Sequence, residues 1–304
     1  MNEPTRNDTS GWGTLAAVAA VATYALIVFG GIVRITGSGM GCGDDWPLCN
    51  GQLIPPMDFD TLIEYGHRLA ALAVSLLVVA LATVAWWPRR AAVRRPLRVL
   101  SLLAVLLLVV QVLLGAVTVW LELPPTTVIL HFGTALALLV VLAVGACIGL
   151  AGAERPAVRR DRATRTLKTL AAFAFGVALL GAMVANLDAG PACLGFPACN
   201  GSWMPRGGGL VHVHWTHRLA AYLLFLLLLS LPVLVRRWRP GDGAALTWSS
   251  LGLLVGLGQV GVGAAMALTL YPGTLKTIHL AVGAALVAVV VVAAWLVSRP
   301  RTVS

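Results

Sequence analysis

Eight long apolar runs leave this chain of 304 residues few ways to fold. They extend roughly from Trp12 to Ile35, Leu62 to Trp87, Pro96 to Trp120, Val128 to Leu150, Leu167 to Leu187, Val213 to Val235, Ala245 to Leu270 and Leu275 to Val297. About 20 apolar residues in helical form cross a bilayer core, and lipid offers no partner to an exposed backbone amide. Each run therefore reads as a membrane-spanning helix. Composition agrees: 59% of residues are hydrophobic and 11% charged, against roughly 25% charged in a soluble domain. A soluble globular protein is excluded. The polar leader before the first run lacks a small-residue cleavage site, so that run reads as a retained helix.

The net charge of +10 would suggest nucleic acid as the partner of a soluble chain, but its distribution argues otherwise. Seventeen of the 22 basic residues fall on one side of the membrane: Arg89, Arg90, Arg94, Arg95 and Arg98 in the 2–3 loop, Arg155, Arg159, Arg160, Arg162, Arg165 and Lys168 in the 4–5 loop, Arg236, Arg237 and Arg239 in the 6–7 loop, and Arg6, Arg299 and Arg301 near the termini. The other side carries Arg34, Arg68, Arg206, Arg218 and Lys276 against seven acids. By the positive-inside rule both termini are cytoplasmic, and nucleic acid is not expected as a partner. Cys42, Cys49, Cys193 and Cys199 all lie in loops of the opposite, outer face. Close pairs in an oxidising compartment read as disulfides, Cys42 with Cys49 and Cys193 with Cys199; four thiolates on zinc is the rival reading. Cys147, within the fourth run, reads as a small buried hydrophobe.

An internal repeat organises the chain. Cys49-Asn50-Gly51 recurs as Cys199-Asn200-Gly201, and His67-Arg68-Leu69-Ala70 as His217-Arg218-Leu219-Ala220. Gln111, Gly115 and His131 recur at the same mutual spacing as Gln259, Gly263 and His279. The expected architecture is thus an all-α integral membrane protein of two tandem four-helix bundles, residues 1–151 and 152–304. An even number of helices per unit gives both the same orientation, a parallel repeat.

His67, His131, His217 and His279 each fall in the first turn or two of an apolar run, at similar depth near the outer face. Ionisable groups within a membrane are costly and usually functional. Two imidazoles facing each other across a bundle lined by Gly, Ala, Leu and Val suit the axial positions of a haem iron. The repeat then implies two sites, His67 with His131 and His217 with His279. A zinc cluster of His212, His214 and His217 lacks a completing ligand, and a di-iron centre at Glu64 and His67 would have only Glu122 to complete it. The halves differ at one informative position. Three residues before the first histidine stands Glu64 in one half and His214 in the other. A carboxylate beside one site alone could take up protons or stabilise positive charge developing on a substrate; otherwise it is an exposed first-turn acid favoured by the helix dipole.

The series Arg34-Ile35-Thr36-Gly37-Ser38-Gly39, Asp45-Trp46-Pro47-Leu48-Cys49-Asn50-Gly51, Glu64-Tyr65-Gly66-His67-Arg68 and His131-Phe132-Gly133, with its second-half echoes, resembles the haem A synthases of aerobic bacteria. The resemblance covers essentially the whole chain. It implies a plasma-membrane oxidase that converts a ring methyl of haem O to the formyl group of haem A, in the service of terminal oxidase biogenesis. It further implies His217 and His279 as ligands of a haem b cofactor, His67 and His131 as flanking the substrate haem, and Glu64 as assisting the oxidation. Arg68 and Arg218 become candidates for haem propionates, as bidentate partners or as interfacial snorkelling residues. Arg34, which has no counterpart in the second half, would serve the substrate haem. Gln111 and Gln259 read as interhelical hydrogen-bonding residues outside the site. The second outer loop has Gly195-Phe196-Pro197-Ala198 where the first has Asp-Trp-Pro-Leu, so the loops need not act identically.

Membrane lipid, haem O synthase as supplier of the substrate and an unidentified electron donor or acceptor complete the expected partners. The alternative class is a non-catalytic di-haem b-type electron carrier, and a third is a haem or small-solute transporter.

Overall fold

The computed structural model describes residues 6–56, 58–87, 95–151 and 161–299. Eight α-helices lie among them: α1 Arg6–Thr36, α2 Phe59–Trp86, α3 Arg95–Trp120, α4 Pro125–Ala151, α5 Arg162–Asn186, α6 Gly209–Trp238, α7 Gly243–Leu268 and α8 Gly273–Val297. All eight are long and apolar enough to cross a membrane, one for each apolar run of the sequence. The chain is a multi-pass membrane protein of all-helical fold. Of the basic residues that set the expected orientation, Arg89, Arg90, Arg94, Arg155, Arg159, Arg160 and Arg301 lie outside the described residues, as does the side chain of Arg6.

Several helices begin before their apolar runs, because polar residues form and cap the first turn. Asp58 accepts from Thr61 N (3.1 Å), Asp161 from Thr164 N (3.0 Å) and Asp242 from Ala245 N (3.0 Å), each satisfying an amide that the helix itself cannot. Pro125 opens α4, where a missing N–H costs nothing. The earlier starts push the four histidines inward. They lie six to eight residues past the first helical residue, about 9–12 Å along the axis and not within the opening turn.

The chain divides into two compact units, Met1–Pro156 and Ala157–Ser304. In the first, α1 neighbours α2 and α4 while α3 neighbours α2 and α4, a closed ring of four helices. Gly13 and Gly149 bring the α1 and α4 backbones together so closely that a Cβ on either would collide with the opposite main chain. Small residues in such places allow helices to pack without a hydrophobic driving force. Trp12, fully buried beside them, donates its indole N–H to Leu81 O of α2 (3.1 Å). In the second unit α5 neighbours α6 and α8, and α7 neighbours α6 and α8, closing the same kind of ring.

Candidate functional site

Each unit holds its two histidines against glycines of the neighbouring helix. In the first, a Cβ on Gly30 of α1 would lie 3.1 Å from His67 Nε2, and one on Gly115 of α3 would lie 3.2 Å from His131 Cε1. In the second, Gly181 of α5 stands in the same relation to His217 (3.1 Å) and Gly263 of α7 to His279 (3.1 Å). A side chain at any of these four places would press on the imidazole by a few tenths of an ångström. Phe29 meets the His67 ring edge-on at 5.7 Å between centroids. Within each unit the paired histidines lie in electrostatic reach of one another. Gln111 and Gln259, one helical turn from Gly115 and Gly263, set their amides 3.0 Å and 3.2 Å from Nε2 of His131 and His279. The structure thus brings both glutamines against the histidines. Gly30 and Arg34 are likewise one turn apart, which sets Arg34, in the last turn of α1, on the helix face that meets His67.

Outward of the histidines, each unit carries an arginine clasp. Glu64 is buried at 4% exposure, not the exposed first-turn acid that its position allowed. Its Oε1 accepts from Arg68 Nε (3.1 Å) and Nη2 (2.6 Å), and its Oε2 accepts from the Cys42 amide (2.8 Å). Arg68 Nη1 donates to the loop carbonyls of Asp45 (2.8 Å) and Leu48 (2.5 Å). In the second unit Arg218 Nη1 donates to the equivalent carbonyls of Gly195 (2.8 Å) and Ala198 (2.9 Å), and Nη2 to Cys193 O (2.6 Å) and to the Tyr271 hydroxyl (3.3 Å). Its Nε donates to His214 Nε2 (3.2 Å), while His214 Nδ1 donates to Ala189 O (2.9 Å). These partners assign the His214 proton to Nδ1 and make the ring a neutral acceptor where Glu64 is an anionic one. All five Arg218 N–H groups are committed, and Arg68 keeps one uncommitted; a propionate contact at Arg218 requires that one of these five bonds be released. Tyr271, between α7 and α8, also donates to Cys193 O (3.1 Å), and burial raises its phenol above the usual value.

The clasped loops are closed by disulfides Cys42–Cys49 and Cys193–Cys199, with Cα atoms 4.4 Å and 4.9 Å apart. Cys147 in α4 is half-buried. The shared Cys-Asn-Gly has a backbone reason. Asn50 and Gly51 (φ 51° and 73°) and Asn200 and Gly201 (φ 52° and 77°) form two-residue turns with consecutive positive φ, which Asn-Gly adopts most readily. Paired bonds between Cys49 and Gln52, and between Cys199 and Ser202, flank them. His212, by contrast, is exposed and bonds Gly208 O (3.0 Å), and Glu122 is exposed in the 3–4 connection. Among the described residues no three His, Cys, Asp or Glu side chains are grouped to hold a bare metal ion.

Residues 13–291 match the model of a family described as cytochrome oxidase assembly protein. A protein of Alkalihalophilus pseudofirmus named "Heme A synthase" is 31% identical over 94% of this chain and 97% of its own length. A protein of the same name from Shouchella clausii is 34% identical over 86% and 88%, and one from Halalkalibacterium halodurans 36% over 71% and 72%. The chain belongs to the haem A synthase family. Haem A synthases involve haem, and these residues fit it. His131, His217 and His279 each have a buried Nδ1 with no hydrogen-bond partner, while the glycine cradles hold all four rings against small residues. An unpartnered buried ring nitrogen calls for a ligand or a metal, and an aromatic macrocycle with axial imidazoles meets that need. Phe29 and the two glutamines are additional side chains against the histidines, and Tyr271 is an additional one in the second clasp. For the glutamines the signal was the shared spacing to Gly and His, and for Tyr271 the sequence held none.

Proposed function

We propose that the two units divide the work of the enzyme: the first holds haem O between His67 and His131, and the second holds a resident haem b between His217 and His279. Membership of the haem A synthase family makes the chain an oxidoreductase that turns a ring methyl of haem O into the formyl group of haem A. The methyl gives up two hydrogens and gains one oxygen, by successive hydroxylation and loss of water. Haem b, when bound, supplies one-electron transfer.

The observation that carries the division is the exchange of Glu64 for His214 in clasps that share their Nη1 bonds to equivalent loop carbonyls. Glu64 has three of roughly four lone-pair positions occupied, so one remains to accept a proton or to face positive charge developing at the methyl carbon. It sits one turn outward of His67 on the same helical face. His214 has both nitrogens committed and carries no negative charge, which suits a site that stores a haem without altering it. Arg68 holds Glu64 and the disulfide loop in one arrangement, and Arg34 is the first unit's own cation for a substrate carboxylate. The units form a tandem parallel repeat in the plasma membrane, with both termini cytoplasmic and both haem sites toward the outer face. Haem O synthase supplies the substrate, and an external carrier exchanges electrons with the second unit.

Mass analysis of porphyrins extracted from the purified protein tests this reading. Haem b accompanied by haem O, its hydroxylated form or haem A is expected; haem b alone would favour an electron carrier.

A further inference from the structure

Both disulfide loops end in an exposed apolar pair at repeat-equivalent positions. Leu53 and Ile54 are 77% and 79% exposed, and Trp203 and Met204 are 59% and 87% exposed. Each pair begins one residue after the Asn-Gly turn, next to Gln52 or Ser202, which pairs back to the cysteine, so a short disulfide-closed hairpin holds it in place. Polar contact with water does not account for four large apolar side chains at two hairpin ends.

Helix lengths set the level at which these ends lie. The 28 residues of α2 span about 42 Å, whereas the hydrocarbon core takes about 20 residues or 30 Å. Counting about 20 residues back from the exposed Trp86 at the far end reaches Gly66. Tyr65 therefore stands at the headgroup level, and its hydroxyl donates to Leu53 O (2.5 Å), which holds Leu53 at that level too. Tyr65 lies between Leu62 and Leu69, one turn to either side, in an exposed apolar stripe that continues through Leu72, Leu76 and Val79. That stripe is the lipid-facing side of α2. In α6, about 20 residues back from Val235, which precedes Arg236 and Arg237, reaches Trp215. Trp203 packs edge-on against Trp215 at 5.9 Å and near Tyr222 at 6.5 Å. Tyr222 in turn lies between the exposed Leu219 and Leu226 of the α6 stripe.

We infer that the two hairpin ends dip into the lipid leaflet on their side of the membrane, with Leu53, Ile54, Trp203 and Met204 inserted at the headgroup–acyl boundary. The occupant of these surfaces is lipid, because each lies at the level of an exposed apolar helix stripe and is tied to an aromatic residue within it. The hairpins thereby tie the clasps of Arg68 and Arg218 to the bilayer surface. The inference is independent of which haem each unit binds.

Depth-dependent quenching tests it on the full chain. In a Cys147→Ala background, Ile54→Cys and Met204→Cys are labelled with a polarity-sensitive fluorophore and reconstituted in phosphatidylcholine vesicles; neither native side chain makes a hydrogen bond. Asp44→Cys, on the exposed part of the first loop, provides the aqueous reference. The expected result is blue-shifted emission at 54 and 204, lost when the lipids are brominated near the headgroup and protected from aqueous iodide relative to position 44. Iodide quenching equal to that at 44, without bromine quenching, would overturn the inference. Blue-shifted emission insensitive to both quenchers would overturn it as well, in favour of a protein partner or a second copy on these surfaces.

Discussion

Gly30, Gly115, Gly181 and Gly263 decide whether four imidazoles have room, and this is where single substitutions test the sites. Gly181→Ala places a methyl 3.1 Å from the His217 ring, so the ring must tilt. Overpacking of this kind costs about 1–3 kcal/mol, which corresponds to roughly 5- to 150-fold weaker retention of haem b. The absorption spectrum of the purified variant measures the loss directly. Gly30→Ala acts on His67 instead, and is expected to lower haem O turnover while leaving that spectrum unchanged; loss of haem b in both variants would contradict separate sites. The histidines and Glu64 stood out because a membrane interior does not tolerate such groups idly, and the loop cysteines because they form close pairs on one face. The clasp was not legible. Arg68 and Arg218 bond carbonyls twenty or more residues distant, and no spacing rule connects a guanidinium to the main chain of a loop.

At the scale of elements, α5 is fixed at its start by Asp161. That carboxylate caps Thr164 and also accepts from Arg239 Nη2 (2.7 Å), whose Nε reaches Val297 O at the end of α8 (3.1 Å), so one acid joins α5, α6 and α8. The Thr164 amide, then Arg239, hold the carboxyl at about 2, below the ordinary 3.8. A depressed folded value means that the contribution is complete above about pH 3.8 and is lost as pH falls through about 2. Replacing Asp161 with Ala removes a cap worth about 1 kcal/mol. Thermal unfolding in detergent should show wild type above the variant at neutral pH and the difference closing across that acidic window; a gap that widens on acidification would refute the assignment. Helix number and order were plain from hydropathy, since eight runs became eight helices. Helix starts were not, because Phe59, Arg162 and Gly209 belong to polar or weakly apolar first turns that hydropathy passes over.

For the whole molecule, the two units offer similar cradles, and clasps that share their loop-carbonyl bonds but differ in the acceptors of Nε and Nη2. Arg68 faces an anion and Arg218 a neutral imidazole, so the first unit alone places a carboxylate beside its histidines. That asymmetry was readable from two aligned letters, whereas its setting, a buried acid held by the Cys42 amide and Arg68, required the fold. The account rests on Glu64 acting in the oxidation, and Glu64→Gln tests this with almost no change of shape. Porphyrins from membranes that contain the variant should hold haem O and no haem A, with the haem b spectrum of the purified protein intact. Haem A produced at the wild-type level by Glu64→Gln would contradict it.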